Sequence, residues 1–385
     1  MLYRSINLII TIFLLSAITA SISAQTPTMA THEEATNWAN EILKKLPLEK
    51  KIGQMICAEM AGGYATDDDP KFQQWLALAR DHGVGGFVLY GGTPLDVARL
   101  LNRLQQAAAL PILMAADFEG GPGQQIIGAT EFPANMALAA TGSETLMYEV
   151  AKIGALEGRA MGIYLTYTPV VDISLHPENP AESVRSFGGD LDLLGKMVRA
   201  YVRGYQENGM LNCAKHFPGR GEVERFPAHP DFTYISKPAR AVETQEFRAF
   251  KHAIDAGVTF VMSEHIAIPS MTDGSDRPAS VEKKLATNWL REKLGFKGIL
   301  TSDDLWYEHV TKRFGPVQVA VLAVQAGHDV VLKSADPKQS HCRQTQRGGG
   351  DVIRQSPSHS QNPQCSRLCR WLRRARLVWQ SNDLF

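Results

Sequence analysis

From about residue 48 the chain alternates short, continuous apolar runs with longer stretches whose apolar positions recur every three or four residues. Short apolar runs bounded by Gly, Pro, Asn or Asp read as buried strands, and the 3.6-residue repeat reads as amphipathic helix. The pattern predicts strands at 52–57, 86–90, 112–116, 163–171, 211–215, 259–263, 298–301 and 329–332. Helices are predicted at 95–109, 144–161, 191–208, 239–256 and 281–294. Repeated strand and helix alternation implies a parallel sheet, and eight units imply an α/β fold closed into a (β/α)8 barrel of the TIM type. A doubly wound open sheet is the alternative, but GGYATDDDP, beginning at Gly62, does not fit the G-x-G-x-x-G phosphate turn.

In a barrel of this kind, reacting groups stand at the C-terminal ends of the strands. Asp117 and Glu119 follow the third strand, Asp172 the fourth, Lys215 and His216 the fifth, Glu264 and His265 the sixth, and Asp303 the seventh. Two segments are the most informative. GILTSDDLWYE lifts Asp303 and Asp304 off an apolar strand, and NCAKHFPGRGEVERFPAHPDF sends Lys215 and His216 off another before running into a loop that carries His229. A carboxylate at one strand end facing cations and a histidine at another suits polar chemistry of the kind done on sugars. Asp303 read alone could equally cap the helix that LWYEHV begins, a role Asp304 could supply.

Composition adds three constraints. The apolar fraction of 44% over 385 residues supports a sizeable core. The formal net charge of zero hides a split: residues 338–385 carry nine Lys and Arg against two Asp, so the rest of the chain is mildly acidic, which argues against nucleic acid as its partner. No His-Glu-x-x-His or paired-Cys motif appears in the barrel segment, so no metal is expected there. Of the five cysteines, Cys57 and Cys213 sit in strand-like runs and read as core thiols, while Cys342, Cys365 and Cys369 fall in the tail.

The ends differ from the middle. Arg4, an apolar stretch from Leu8 to Ala20 and small residues before Gln25 have the layout of a secretory signal peptide over 1–24, cleaved after Ala24. That stretch falls short of the ~20 residues a membrane span requires, so the mature chain is expected to be exported, periplasmic or secreted, without stable membrane insertion. Residues 25–47 form a lead-in, and 48–337 the barrel. From 338 to 385 the chain turns rich in Arg, Ser, Gln and Cys with little periodicity. That composition suits a shifted reading frame better than a functional tail, and the helix expected to close the barrel is missing or replaced there.

The ordered motifs KIGQM, LPILMAADFEGG, FPANMALAATG, YTPVVDIS, the NP and RSFG pair between Asn179 and Gly188, KHFPGRG, LGFKGILTSDDL and AGHDVVL resemble the glycoside hydrolase family 3 N-acetylhexosaminidases, over about 46–337. The resemblance implies retaining hydrolysis of terminal, non-reducing β-linked N-acetylglucosamine through a covalent glycosyl-enzyme. It implies Asp303 as nucleophile, with Asp304 capping or supporting, and His229 as acid/base. It further implies Asp117, Arg185, Lys215 and His216 as groups that hydrogen-bond sugar hydroxyls, Asp172 and His265 as supporting residues, an oligosaccharide partner and no cofactor. Three departures stand out. Pro227 replaces the Asp that would orient His229, leaving Glu222, Glu224 or Asp231 as substitutes; Pro122-Gly123 follows the EGG turn; and Arg220 replaces a His of the KHFPGHG pattern. A β-glucosidase of the same family is the second enzyme reading, and a degenerate saccharide-binding protein is the non-enzyme reading.

Overall fold

The computed structural model describes residues 32–176, 179, 182–221 and 233–334. The expected signal segment, the basic tail, His229 and its candidate partners Glu222, Glu224 and Asp231 lie outside the described residues.

Eight parallel strands run β1 (Ile56–Ala61), β2 (Gly86–Tyr90), β3 (Leu113–Ala116), β4 (Leu165–Thr166), β5 (Leu211–Phe217), β6 (Phe260–Ser263), β7 (Ile299–Ser302) and β8 (Val331–Leu332). Each pairs with the next in sequence, and β8 returns to β1 through Ile56 opposite Val331 and Cys57 opposite Leu332. The seam between β7 and β8 has a single bridge, Thr301 to Val330, where the Asp329 and Val330 N–H groups donate to the Leu300 carbonyl and the Ser302 N–H to that of Val330, and side chains add to these bonds. The Asp329 carboxylate accepts from the Leu300 N–H at 2.9 Å, and Ser302 Oγ accepts from the Leu332 N–H at 3.0 Å. The predicted (β/α)8 barrel is the observed fold.

The helices form where caps and an apolar stripe coincide. Thr93 caps helix Pro94–Ala107, whose first residue is a proline that needs no hydrogen bond there, and Val97, Leu100, Leu101 and Leu104 are its buried face. Ser143 caps Glu144–Ala160 and Asp190 caps Leu191–Glu207 in the same manner. The lead-in is itself helical from His32 to Lys45, burying Ala35, Ala39 and Leu43 at four-residue spacing. Cys57 and Cys213 are buried free thiols, as core residues should be.

Several element boundaries differ from the sequence expectation, and three of the differences have a clear physical reason. The first strand, expected at 52–57, begins at Ile56, and Ile52 and Gly53 end a short helix, Leu48–Gly53, because Ile52, Met55 and Ile56 have a spacing that fits either period. The fourth strand shrinks from the expected 163–171 to two residues: Pro169 has no N–H to donate, and the pairing continues only irregularly, the carbonyls of Thr168 and Pro169 accepting from the Cys213 and Lys215 N–H groups at 3.0 Å each and the Val171 N–H donating to the Lys215 carbonyl at 2.8 Å. The expected helix 239–256 breaks at Gln245 into Ala239–Thr244 and Glu246–Asp255, where Lys237 pairs with the buried Glu246 at 2.7 Å and with the Gln245 side chain. Among the described residues no helix is long and apolar enough to cross a membrane.

Candidate active site

The C-terminal strand ends surround a cavity of about 550 Å³ lined mainly by polar and charged side chains. Asp303 comes off β7, and its N–H donates to the Ser263 carbonyl of β6 at 2.7 Å, which fixes the direction in which the carboxylate leaves the strand. Its Oδ1 accepts from the Asp304 N–H at 2.7 Å and its Oδ2 from Arg220 Nη2 at 3.1 Å. Burial alone would raise this carboxyl, but Arg220, His265 and the Asp304 N–H outweigh it and hold it below its ordinary range. Asp303 is therefore an ionised carboxylate, 7% exposed, at the cavity wall.

Opposite it lies a chain of alternating charge. Lys215, on β5, places Nζ 2.6 Å from Asp117 Oδ1 and 2.7 Å from Glu119 Oε1. Arg185 takes the other side of Glu119 with a two-pronged grip, both contacts at 2.8 Å. Burial pushes Glu119 up, yet Lys215 and Arg185 more than offset it and bring the carboxyl down to about 2. Tyr90, ending β2, donates to Asp117 Oδ2 at 3.2 Å. Such a ring supplies fixed donors and acceptors of the kind that sugar hydroxyls require.

His216 is buried beside the cavity, its Nδ1 2.7 Å from Asp172 Oδ2. Burial first, then the positive charges of Arg220, Arg185 and Lys215, push its pKa far down, so the ring is neutral and Nδ1–H donates to Asp172. Asp172 also accepts from the backbone N–H groups of His216 at 3.0 Å and Arg220 at 2.8 Å, so it organises the turn after β5 as a supporting residue. His265 stands behind Asp303, with Nδ1 2.8 Å from Ser280 Oγ and Nε2 3.0 Å from the Asp304 carbonyl, also in a supporting position.

Asp304 does not cap a helix. The following helix begins at Glu308 with Tyr307 at its N-cap, while Asp304 Oδ2 takes Lys333 Nζ at 3.0 Å and Trp306 Nε1 at 3.3 Å. Burial and the neighbouring Asp303 charge raise it to about 7 despite Lys333. Lys333 lies 4.1 Å over the Tyr90 ring, so the end of β8 is tied to β2 and β7 at once.

Two buried clusters have side chains of metal-ligand type, Asp172, Glu182 and His216, and His216, Glu264 and Asp303. Arg220 already supplies the cation in both. Its guanidinium grips Glu264, reaches Asp303 and stands 3.6 Å from Glu182. In the first cluster, Asp172 and His216 are spent on each other.

The structure thus gathers Asp303, Asp117, Arg185, Lys215 and His216 around one cavity, and His229 falls outside the described residues. Reading the strand ends placed Glu119 and Glu264 on the rim without assigning them a contact. Lys333 and the contacts of Arg220 have no signal in the sequence, because their partners Asp304, Glu264 and Asp303 are far away in the chain, and Glu182 stands out by no motif of its own.

A family described as "Glycosyl hydrolase family 3 N terminal domain" matches residues 47–347. The chain belongs to this family. A protein of Cellulomonas fimi named "Beta-N-acetylglucosaminidase/beta-glucosidase" is 32% identical over 330 residues, covering 82% of this chain and 57% of that protein. A "Beta-hexosaminidase" of Neisseria meningitidis serogroup C is 30% identical over 289 residues, covering 72% of this chain and 77% of that protein. The solved family 3 β-N-acetylglucosaminidase of a Paenibacillus species superposes with a TM-score of 0.76 at 31% identity, covering 86% of this chain and 63% of that one. The chain therefore spans little more than half the length of the Cellulomonas relative.

Proposed function

We propose that this family 3 chain is a retaining glycoside hydrolase that removes terminal, non-reducing β-linked N-acetylglucosamine from chitin- or peptidoglycan-derived saccharides after export. The observation that carries the reading is Asp303, an ionised carboxylate fixed at a strand end in a cavity ringed by Asp117, Lys215, Glu119 and Arg185. Asp303 attacks the anomeric carbon, the bond to the leaving oxygen breaks, and His229 gives that oxygen its proton. Water then enters, loses a proton to His229 and displaces Asp303, so the sugar leaves with the configuration it had. Asp117, Arg185, Lys215 and His216 hold the sugar hydroxyls.

The names of the relatives support the N-acetylglucosaminide as first substrate. The Cellulomonas name also includes β-glucosidase, so the glucoside is the second reading. The test is hydrolysis of an aryl β-N-acetylglucosaminide and of its glucoside, with NMR of the first-formed sugar. A β anomer is expected, and Asp303→Ala should lower kcat by at least about a thousandfold. A folded chain that turns over neither glycoside would sink the hydrolase reading in favour of saccharide binding alone.

A further inference from the structure

Arg220 stands where the family resemblance leads one to look for a histidine, and its surroundings show what the change does. Its side chain is 6% exposed and meets two carboxylates with one guanidinium edge: Nη2 is 3.1 Å from Asp303 Oδ2, and Nε and Nη2 both contact Glu264. The backbone around it is held too. The Arg220 N–H donates to Asp172 at 2.8 Å, and the Arg220 carbonyl accepts from Asn179 Nδ2 at 2.9 Å. Glu264 is fully buried, and the His265 N–H donates to its Oε1 at 2.6 Å, so the anion that grips Arg220 is itself fixed.

We infer that Arg220, braced from behind by Glu264, is a positioning residue that fixes the orientation and negative charge of the Asp303 carboxylate. The inference rests on Asp303 being the nucleophile. A carboxylate free to rotate would present its oxygens to the anomeric carbon only part of the time, whereas Asp303 has one oxygen on a backbone N–H and the other on a guanidinium that cannot turn. The groups facing Asp303 are His216 at the end of β5 and Arg220 from the turn after it, Glu264 and His265 from the end of β6, Asp304 and Tyr307 on its own loop and His309 in the helix that follows, with Lys333 at the end of β8 reaching it only through Asp304. Of these, Arg220 is the permanent cation in direct contact. Burial, together with the charge of Asp303, pushes Glu264 upward even beside Arg220, while Asp303 stays low. The first proton the pair accepts therefore goes to Glu264 and spares the nucleophile.

The test compares the chain with Arg220→Met, Arg220→Lys and the double variant Arg220→Met/Glu264→Gln, which removes cation and anion together should the single loss prevent folding. Two readouts are taken: the acid limb of kcat/KM against pH, and the ¹³Cγ titration of Asp303, assigned with Asp303→Asn. Losing an opposite charge in contact should move both upward by about one to three pH units. Arg220→Lys should bring the acid limb back toward the original but recover kcat only in part, since an ammonium cannot bridge two carboxylates with a planar edge. If the Asp303 titration and the acid limb of the folded Met variants stay where they were, the inference is overturned. The ¹³C readout needs no turnover, so an inert parent chain would count against the hydrolase reading while leaving the Arg220 result to be read separately.

Discussion

Replacing Lys215 with Met isolates the cation on which the Asp117 and Glu119 side of the cavity depends. Lys215 is 4% exposed and lies within 2.7 Å of two carboxylates, so the substitution keeps most of the volume and leaves two buried anions short of a counter-charge. Removing one partner of a buried ion pair costs about 3–5 kcal/mol. A second route gives a similar size. Glu119 is brought from 4.5 to about 2 in the fold, which is worth roughly 3 kcal/mol at neutral pH. Arg185 keeps its grip in the variant, so Lys215 accounts for only part of that figure. The expected loss at pH 7 is therefore about 3 kcal/mol.

The sign of the pH dependence follows from Glu119. Its folded pKa is depressed, so its contribution is fully present above the unfolded value and fades as pH falls toward about 2. The gap between the chain and Lys215→Met should shrink from pH 5 downward, to less than half by about pH 3. Urea unfolding followed by tryptophan fluorescence at pH 7, 5 and 3 measures it. Parallel stability curves at all three values, or a gap below about 1 kcal/mol at pH 7, would refute the electrostatic account of this wall.

Two further outcomes are expected. His265 is held down to about 4, chiefly by burial, so the unfolded chain takes up its proton between about 6.5 and 4 while the fold does not. Stability from this residue should drop by up to about 3 kcal/mol as pH falls through that window, and His265→Gln should flatten this part of the unfolding profile. Gly92 has φ +96°, and a Cβ there would lie 2.1 Å from the Gly62 carbonyl oxygen, whereas Gly128 has φ +92° and open space. Gly128→Ala should cost about 1 kcal/mol and Gly92→Ala at least about 2 more by thermal unfolding; equal losses would mean that the approach of the two loops is easily relaxed.

The fold was legible because its signal is local and repeated. β2 matches its predicted bounds at 86–90, and β3, β6 and β7 are each displaced by a single residue at one or both ends, since a run buried on both faces looks the same wherever it is read. The fourth strand was not legible because Pro169 alters donors rather than hydrophobicity. The site was legible at Asp117, Lys215, His216 and Asp303, which sit where strands end. It was not legible at Asp304, whose partner Lys333 is 29 residues away, or at Arg220, whose partner Glu264 is 44 away. Neither pairing leaves a mark in spacing. Arg220 looked like a lost histidine, and only the buried Glu264 shows it to be half of a pair.

The seam between β7 and β8 has a consequence for how this molecule fails. Backbone hydrogen bonds from Asp329, Val330, Ser302 and Leu305 and two side-chain acceptors, Asp329 and Ser302, hold the closure, and Asp304 and Lys333 face each other across it. A barrel that gaps along this line keeps all eight strands in one open sheet, with Lys333 still over Tyr90, but loses the Lys333 contact that anchors Asp304 in the loop bearing Asp303. Opening of the candidate site and global unfolding are then separable events: the loop bearing Asp303 is released by a local fluctuation that leaves the rest of the sheet paired.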